Sequence, residues 1–174
     1  MVHGLSLWQP YASLVADGIK LIETRLNPTH VRGRFVVCAS KKVTPPEMLG
    51  DLAARLERRG VDPRPYMTPS ALPRGEALAV VTLEDCRPMR PGDEPWALVG
   101  RVEPVTGRDR FAYILKDRAP IARVAFTGKQ GWFWFPRGLI HERGRGDPWR
   151  SGDRTGTGFY QDVQSGKLGV KQPR

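Results

Sequence analysis

Gly18-Ile19-Lys20-Leu21-Ile22-Glu23-Thr24-Arg25, read with Trp8-Gln9-Pro10-Tyr11 just before it, is the stretch around which the chain is organised. Proline at position 10 suits the first turn of a helix, Tyr11, Leu14 and Val15 recur at helical spacing, and Gly18 is the usual residue just past a helix end. The pattern predicts a short helix over residues 9–17, a tight turn, and an extended segment over residues 21–26. Alternate side chains of a strand share a face, so Glu23 and Arg25 lie together while Lys20 has the opposite parity. The three converge only if Lys20 sits in the turn, and a glycine at position 18 makes that bend easy. An exposed ion pair at a strand start is the plain alternative. Convergence predicts a small charged pocket.

Outward from this stretch, Gly18, Lys20, Glu23 and Arg25 form a Gly-x-Lys-x-x-Glu-x-Arg motif behind a Gln9-Pro10-Tyr11 helix start. In these positions the chain resembles the ASCH domain family. The likeness extends through Arg32-Gly33-Arg34, Ala39-Ser40-Lys41-Lys42 and the later strands to about residue 140. The resemblance implies a barrel of the PUA-like superfamily. Some bacterial members hydrolyse N4-acetylcytidine, the motif lysine activating a threonine at the position held here by Glu23. The lysine is present and that nucleophile is not; Thr24, one residue on, has the opposite strand parity. Ribonuclease activity, proposed for other members, finds no histidine pair and no metal site in this sequence.

The chain has 174 residues, one domain by length and enough to bury a core, and 40% of them are hydrophobic, which excludes global disorder. Against 18 acidic residues stand 28 basic ones, a net charge of +10 that suits a polyanionic partner, nucleic acid first. Cys38 and Cys86 lie in apolar runs and read as small buried hydrophobes, while His3, His30 and His141 are scattered without ligand spacing. No cofactor or metal is expected. Without a signal region or a long apolar run, the expectation is a cytoplasmic, membrane-free protein, a monomer by default.

In chain order, residues 4–8 read as a first strand with Leu5 and Leu7 on one side and Ser6 and Trp8 on the other. Arg32-Gly33-Arg34 opens a strand apolar on both faces from Phe35 to Ala39, and Ser40-Lys41-Lys42 closes it. Thr44-Pro45-Pro46-Glu47 predicts a helix with Thr44 as N-cap, an apolar stripe of Met48, Leu49, Leu52, Ala53 and Leu56, and a stop at Gly60. Proline excludes regular structure over residues 61–75, the stretch Glu76–Cys86 is the strongest strand, and residues 87–109 are Pro- and Gly-rich around Trp96. Phe111–Lys116 and Ile121–Phe126 read as two strands joined by a turn at residues 117–120. In Trp132-Phe133-Trp134-Phe135, two alternating side chains must face the core. The sum is an α+β, mainly β architecture: a small closed barrel of five to six strands with two or more flanking helices. Residues 1–141 form the domain and residues 142–174 a basic, Gly-rich extension.

No Gly-x-Ser-x-Gly elbow, paired carboxylates or phosphate loop is present, and Gly128-Lys129-Gln130-Gly131 is too short for the last. What remains is a binding cleft, with Lys20 and Glu23 the candidates should there be catalysis. Lysine and arginine there can hold a phosphate or a base edge, and Glu23 can accept from an exocyclic amino group, as carboxylates do from cytosine. Trp8, Gln9 and Tyr11 are the expected walls; Arg32, Arg34, Ser40, Lys41 and Lys42 the expected backbone contacts. The function read here is nucleic-acid binding, of RNA or DNA, on a basic surface leading to Lys20, Glu23 and Arg25. The alternative is a hydrolase acting on a modified nucleoside, or a ribonuclease.

Overall fold

The computed structural model describes residues 1–99 and 110–141; the predicted extension over residues 142–174 lies outside them. Six strands form one sheet: β1 (Val2–Gln9), β2 (Ile22–Arg25), β3 (Gly33–Val43), β4 (Glu76–Pro88), β5 (Phe111–Ala125) and β6 (Trp132–Phe135), in the order β2-β5-β4-β3-β1-β6. β1 runs parallel to β3, with Gly4 opposite Val36, and antiparallel to β6, with Gly4 opposite Phe133. The α+β, mainly β class and the strand number are as the sequence predicts. Closure is not: the ladder ends at β2 on one side and β6 on the other. β6 pairs only with Val2–Leu5, so among the described residues the Ser6–Gln9 half of β1 is left with β3 as its one ladder partner. A single side-chain bond, Arg25 Nη2 to the Ser6 carbonyl at 3.1 Å, links β2 to this half of β1. The unzipped seam is where the site lies.

One core fills the inner face of the curved sheet. Leu5 and Leu7 of β1, Phe35 and Val37 of β3, Val81 and Leu83 of β4, and Tyr113 and Leu115 of β5 meet there with Ala12 and Val15 of helix α1 (Tyr11–Ala16). The outer face is also covered over part of its area, by Phe133, Phe135 and Ile121 on Val36, Cys38, Ala77 and Val80. This two-sided burial explains why β3 reads as an unbroken apolar run. Phe133 and Phe135 are the alternating pair that faces core, while Trp134 is exposed and stacks on His3 at 4.5 Å between centroids. Cys38 is fully buried and desolvation pushes its thiol up to about 12, whereas Cys86 is half-buried and its Sγ accepts the Thr29 amide.

Several local expectations are corrected. Gly50, at φ +52, splits the second helix into α2 (Pro46–Leu49) and α3 (Leu52–Arg58), and Pro45, not Thr44, stands at its N-cap. Thr44 is instead buried, and its amide donates to the Gln9 carbonyl. Met48 leaves the apolar stripe for solvent, while Leu49, Leu52 and Leu56 pack on Leu14, Tyr66 and Leu98. The proline stretch holds two 3-10 turns, Arg64–Tyr66 and Pro69–Ala71.

The predicted turn at residues 117–120 is no turn: β5 is one strand along β4. Thr82 pairs with Lys116 and Val80 with Ala119, so β5 carries an extra residue there, with Asp117 at φ +46. The turn residues build a β-bulge that bends the sheet.

Candidate nucleic-acid cleft

Helix α1 and the turn after it set the charged group. Gly18 adopts φ +71, and the amides of Ile19 and Lys20 both donate to the Leu14 carbonyl, which folds the chain back so that Lys20 enters the interior before β2 begins. This is the convergence the strand parity requires. Lys20 Nζ lies 3.6 Å from Glu23 Oε2, and Arg25 Nε lies 3.2 Å from Glu23 Oε1. The ammonium also donates to the Ala97 carbonyl and sits 5.4 Å from the centre of the Tyr11 ring. Lys20 is 3% exposed and Glu23 9%. Removal from water pulls the Lys20 pKa below its ordinary value, with Glu23 opposing the shift.

The Ala97 anchor comes from α4 (Glu94–Ala97), a short helix within the stretch that composition alone presents as irregular. Asp93 at its N-cap accepts two bonds from Arg87, at 2.7 and 2.9 Å, and one from the Arg90 amide. Burial works to raise the Asp93 pKa, and these bonds overcome it to leave the carboxyl below its usual value. Leu98 at φ +56 ends the helix, and the Trp96 carbonyl accepts the Leu21 amide, fixing α4 over the lysine turn. Asp93-Glu94-Pro95 is a helix-start signature; it is the sequence signal for this missed part of the site.

Lys20, Glu23 and Arg25 line a cleft of about 680 Å3 on the open seam. Trp8, Tyr11, Ser40 and Lys42 line it too, so these predicted residues are brought together. The others are placed elsewhere. Gln9 is fully buried: its Nε2 donates to Ser13 Oγ at 2.9 Å and to the Pro73 carbonyl at 2.6 Å, and its Oε1 accepts the Ser13 amide. That amide pins α1 to β1 and does not reach the cleft lining. Arg32 is exposed and paired with Asp85, Arg34 is half-buried on β3, and Lys41 is exposed; none of the three lines the cleft.

Residues not anticipated also line it: Thr24, Thr44, Met48, Val99, Arg110 and the 128–131 loop with Lys129 and Gln130. The loop is held close to β1, since a Cβ on Gly128 would come within 1.9 Å of Ser6 Oγ. Arg110, Lys42 and Lys129 put exposed cations on the rim, and Trp8, 42% exposed, gives the wall an open aromatic face.

The family model for the ASCH domain matches residues 5–121, from the first core leucine of β1 to the outer-face Ile121 of β5. The chain belongs to the ASCH family. Activating signal cointegrator 1 of Homo sapiens and that of Mus musculus are each 39% identical to it over 83 residues, 47% of this chain. That segment is 14% of the length of either relative. The crystal structure of ASCH from Zymomonas mobilis superposes with a TM-score of 0.52 at 15% identity, covering 78% of this chain and 88% of that one, a likeness of fold. The chain thus has the mainly β architecture of an ASCH domain. Among its described residues no helix is long and apolar enough to cross a membrane.

Proposed function

We propose that this ASCH domain binds nucleic acid, RNA or DNA, with a single-stranded segment laid over the rim of the seam and one base admitted to the cleft. The observation that carries the reading is the arrangement of charge by depth. The floor holds Lys20, Glu23 and Arg25 in mutual ion pairs, and the rim holds the exposed cations Lys42, Arg110 and Lys129. Exposed cations neutralise backbone phosphates and release their counterions, which gives affinity without sequence preference. The Glu23 carboxyl group at the floor accepts from an exocyclic amino group, which gives base preference. Trp8 offers a stacking face between the two levels, worth roughly 1–3 kcal/mol per base. In this reading Lys20 positions Glu23 and is no nucleophile.

The test is fluorescence anisotropy with labelled single- and double-stranded RNA and DNA over a salt series, on the full chain and on Glu23→Gln and Lys42→Gln/Lys129→Gln. The expected result is tighter binding of single strands, a salt slope that flattens in the double variant, and a base preference that weakens in Glu23→Gln. Binding of no polymer, or binding equal in all three proteins, overturns the proposal.

A further inference from the structure

A second cavity, of about 220 Å3, shares Lys20 with the cleft and no other described residue. Its walls are aliphatic, from Val15, Leu21, Val81 and Leu115, and its mouth is charged, with Asp17, Lys116, Asp117 and Arg118. The volume is below the ~300 Å3 at which drug-sized sites begin, so an occupant is small.

The charged groups differ in what already holds them. Lys20 is held by Ala97 and Glu23, Lys116 is paired with Glu84, and Asp17 accepts the Tyr66 hydroxyl at 2.8 Å on one carboxylate oxygen. Arg118 makes no hydrogen bond or ion pair with a described residue. Its guanidinium lies against the Gly18 backbone, where a Cβ would come within 2.6 Å of Nη1. Asp117 is likewise without a described hydrogen-bond partner, and the bulge sets its backbone at φ +46. An arginine fork and a carboxylate, adjacent and uncommitted, thus stand over an aliphatic chamber. The fork matches a carboxylate in bidentate fashion. The aspartate matches an ammonium.

We propose that this cavity is a binding site for a free aliphatic α-amino acid. The ligand carboxylate is taken by Arg118, its ammonium by Asp117 with the second oxygen of Asp17 beside it, and its side chain by Val15, Leu21, Val81 and Leu115. The inference stands apart from the nucleic-acid reading, since it uses none of the cleft's rim or wall residues.

The test is titration of the isotopically labelled full chain, followed by amide proton–nitrogen correlation spectra. The probes are L-leucine, glycine, which lacks the apolar body, 4-methylpentanoate, which lacks the ammonium, and L-leucinamide, which lacks the carboxylate. L-leucine is expected to give saturable shifts at Gly18, Leu21 and the residues from Leu115 to Arg118. Affinity should fall about tenfold or more for each truncated probe, and likewise in Arg118→Gln and Asp117→Asn. Arg118 and Asp117 are exposed, and asparagine tolerates the positive φ, so both variants keep the fold. No shift with L-leucine, equal shifts with glycine, or unchanged affinity in Arg118→Gln overturns the proposal.

Discussion

Lys20 is a buried cation whose three partners come from three parts of the chain: the Ala97 carbonyl of α4, the Glu23 carboxylate of β2 and the Tyr11 ring of α1. Because burial is the larger effect, its pKa lies below the ordinary 10.5. Between that lowered value and 10.5 the unfolded chain holds the proton and the folded chain has released it. Stability attributable to this side chain therefore rises with pH through that window and is flat below it. Lys20→Met supplies the reference in which other titrations cancel. The difference in unfolding free energy between wild type and Lys20→Met, measured by urea from neutral pH to about pH 10, should move in favour of the wild type as pH rises. A constant difference would mean that the ammonium is as well solvated in the fold as outside it. At neutral pH the substitution should cost about 1–3 kcal/mol, since it strands the Ala97 carbonyl and leaves Glu23 only Arg25. Gln9 tests the opposite case, a residue beside the motif whose hydrogen bonds are all structural. Gln9→Leu should lose about 1–3 kcal/mol by stranding the Ser13 amide and the Pro73 carbonyl, with anisotropy unchanged on the folded protein. Loss of binding without loss of stability would make Gln9 a contact residue after all.

At the scale of elements, what could be read in the sequence was what periodicity fixes. The alternation of Leu5 and Leu7 against Ser6 and Trp8 puts two residues in the core and two on the seam, and Lys20 falls in the turn because strand parity leaves it no other way to meet Glu23. Short elements and long-range registry were not readable. Helix α4 is only four residues, too short for a period, and its sole signal is the Asp93-Glu94-Pro95 start. The Asp117–Pro120 segment has turn residues, yet the pairing of β4 against both halves of β5 keeps the chain in one strand and converts the turn into a bulge. The 128–131 loop joins the cleft through a close approach that no local pattern encodes. Its Gly128 has no room for a Cβ beside Ser6 Oγ, with the Phe133 ring 3.2 Å away on another side. Gly128→Ala should push this loop and Lys129 off the seam, lowering both stability and nucleic-acid affinity. Ser6→Ala removes the obstructing oxygen, so the double variant should recover part of each loss. A double-mutant cycle with no coupling would show that the loop is not held at Ser6.

Over the whole molecule, the site follows from how the sheet fails to close. Among the described strands, β6 is four residues long and covers only the first half of β1, and β2, also four residues, pairs only with β5. Between them the Ser6–Gln9 edge would be an open template for pairing, and Arg25, bonded to the Ser6 carbonyl, occupies it. The motif thus ties the seam at one point while it forms a floor, which is why Lys20 and Glu23 are both buried and adjacent to a cavity. The net charge of +10 counts every residue of the chain, whereas the rim cations Lys42, Arg110 and Lys129 are local. These two sources of affinity separate in a salt titration. If the rim cations each neutralise one phosphate of a single strand, replacing all three with glutamine should reduce the slope of log affinity against log salt by about 2. Replacing Arg32, Lys41 and Arg123, exposed but outside the cleft lining, should change the slope much less. Equal reductions in the two triple variants would mean that the strand follows the general charge of the surface and not the seam. A drop confined to the rim variant, with single-strand preference lost as well, ties the path of the nucleic acid to the opening between β1 and β2.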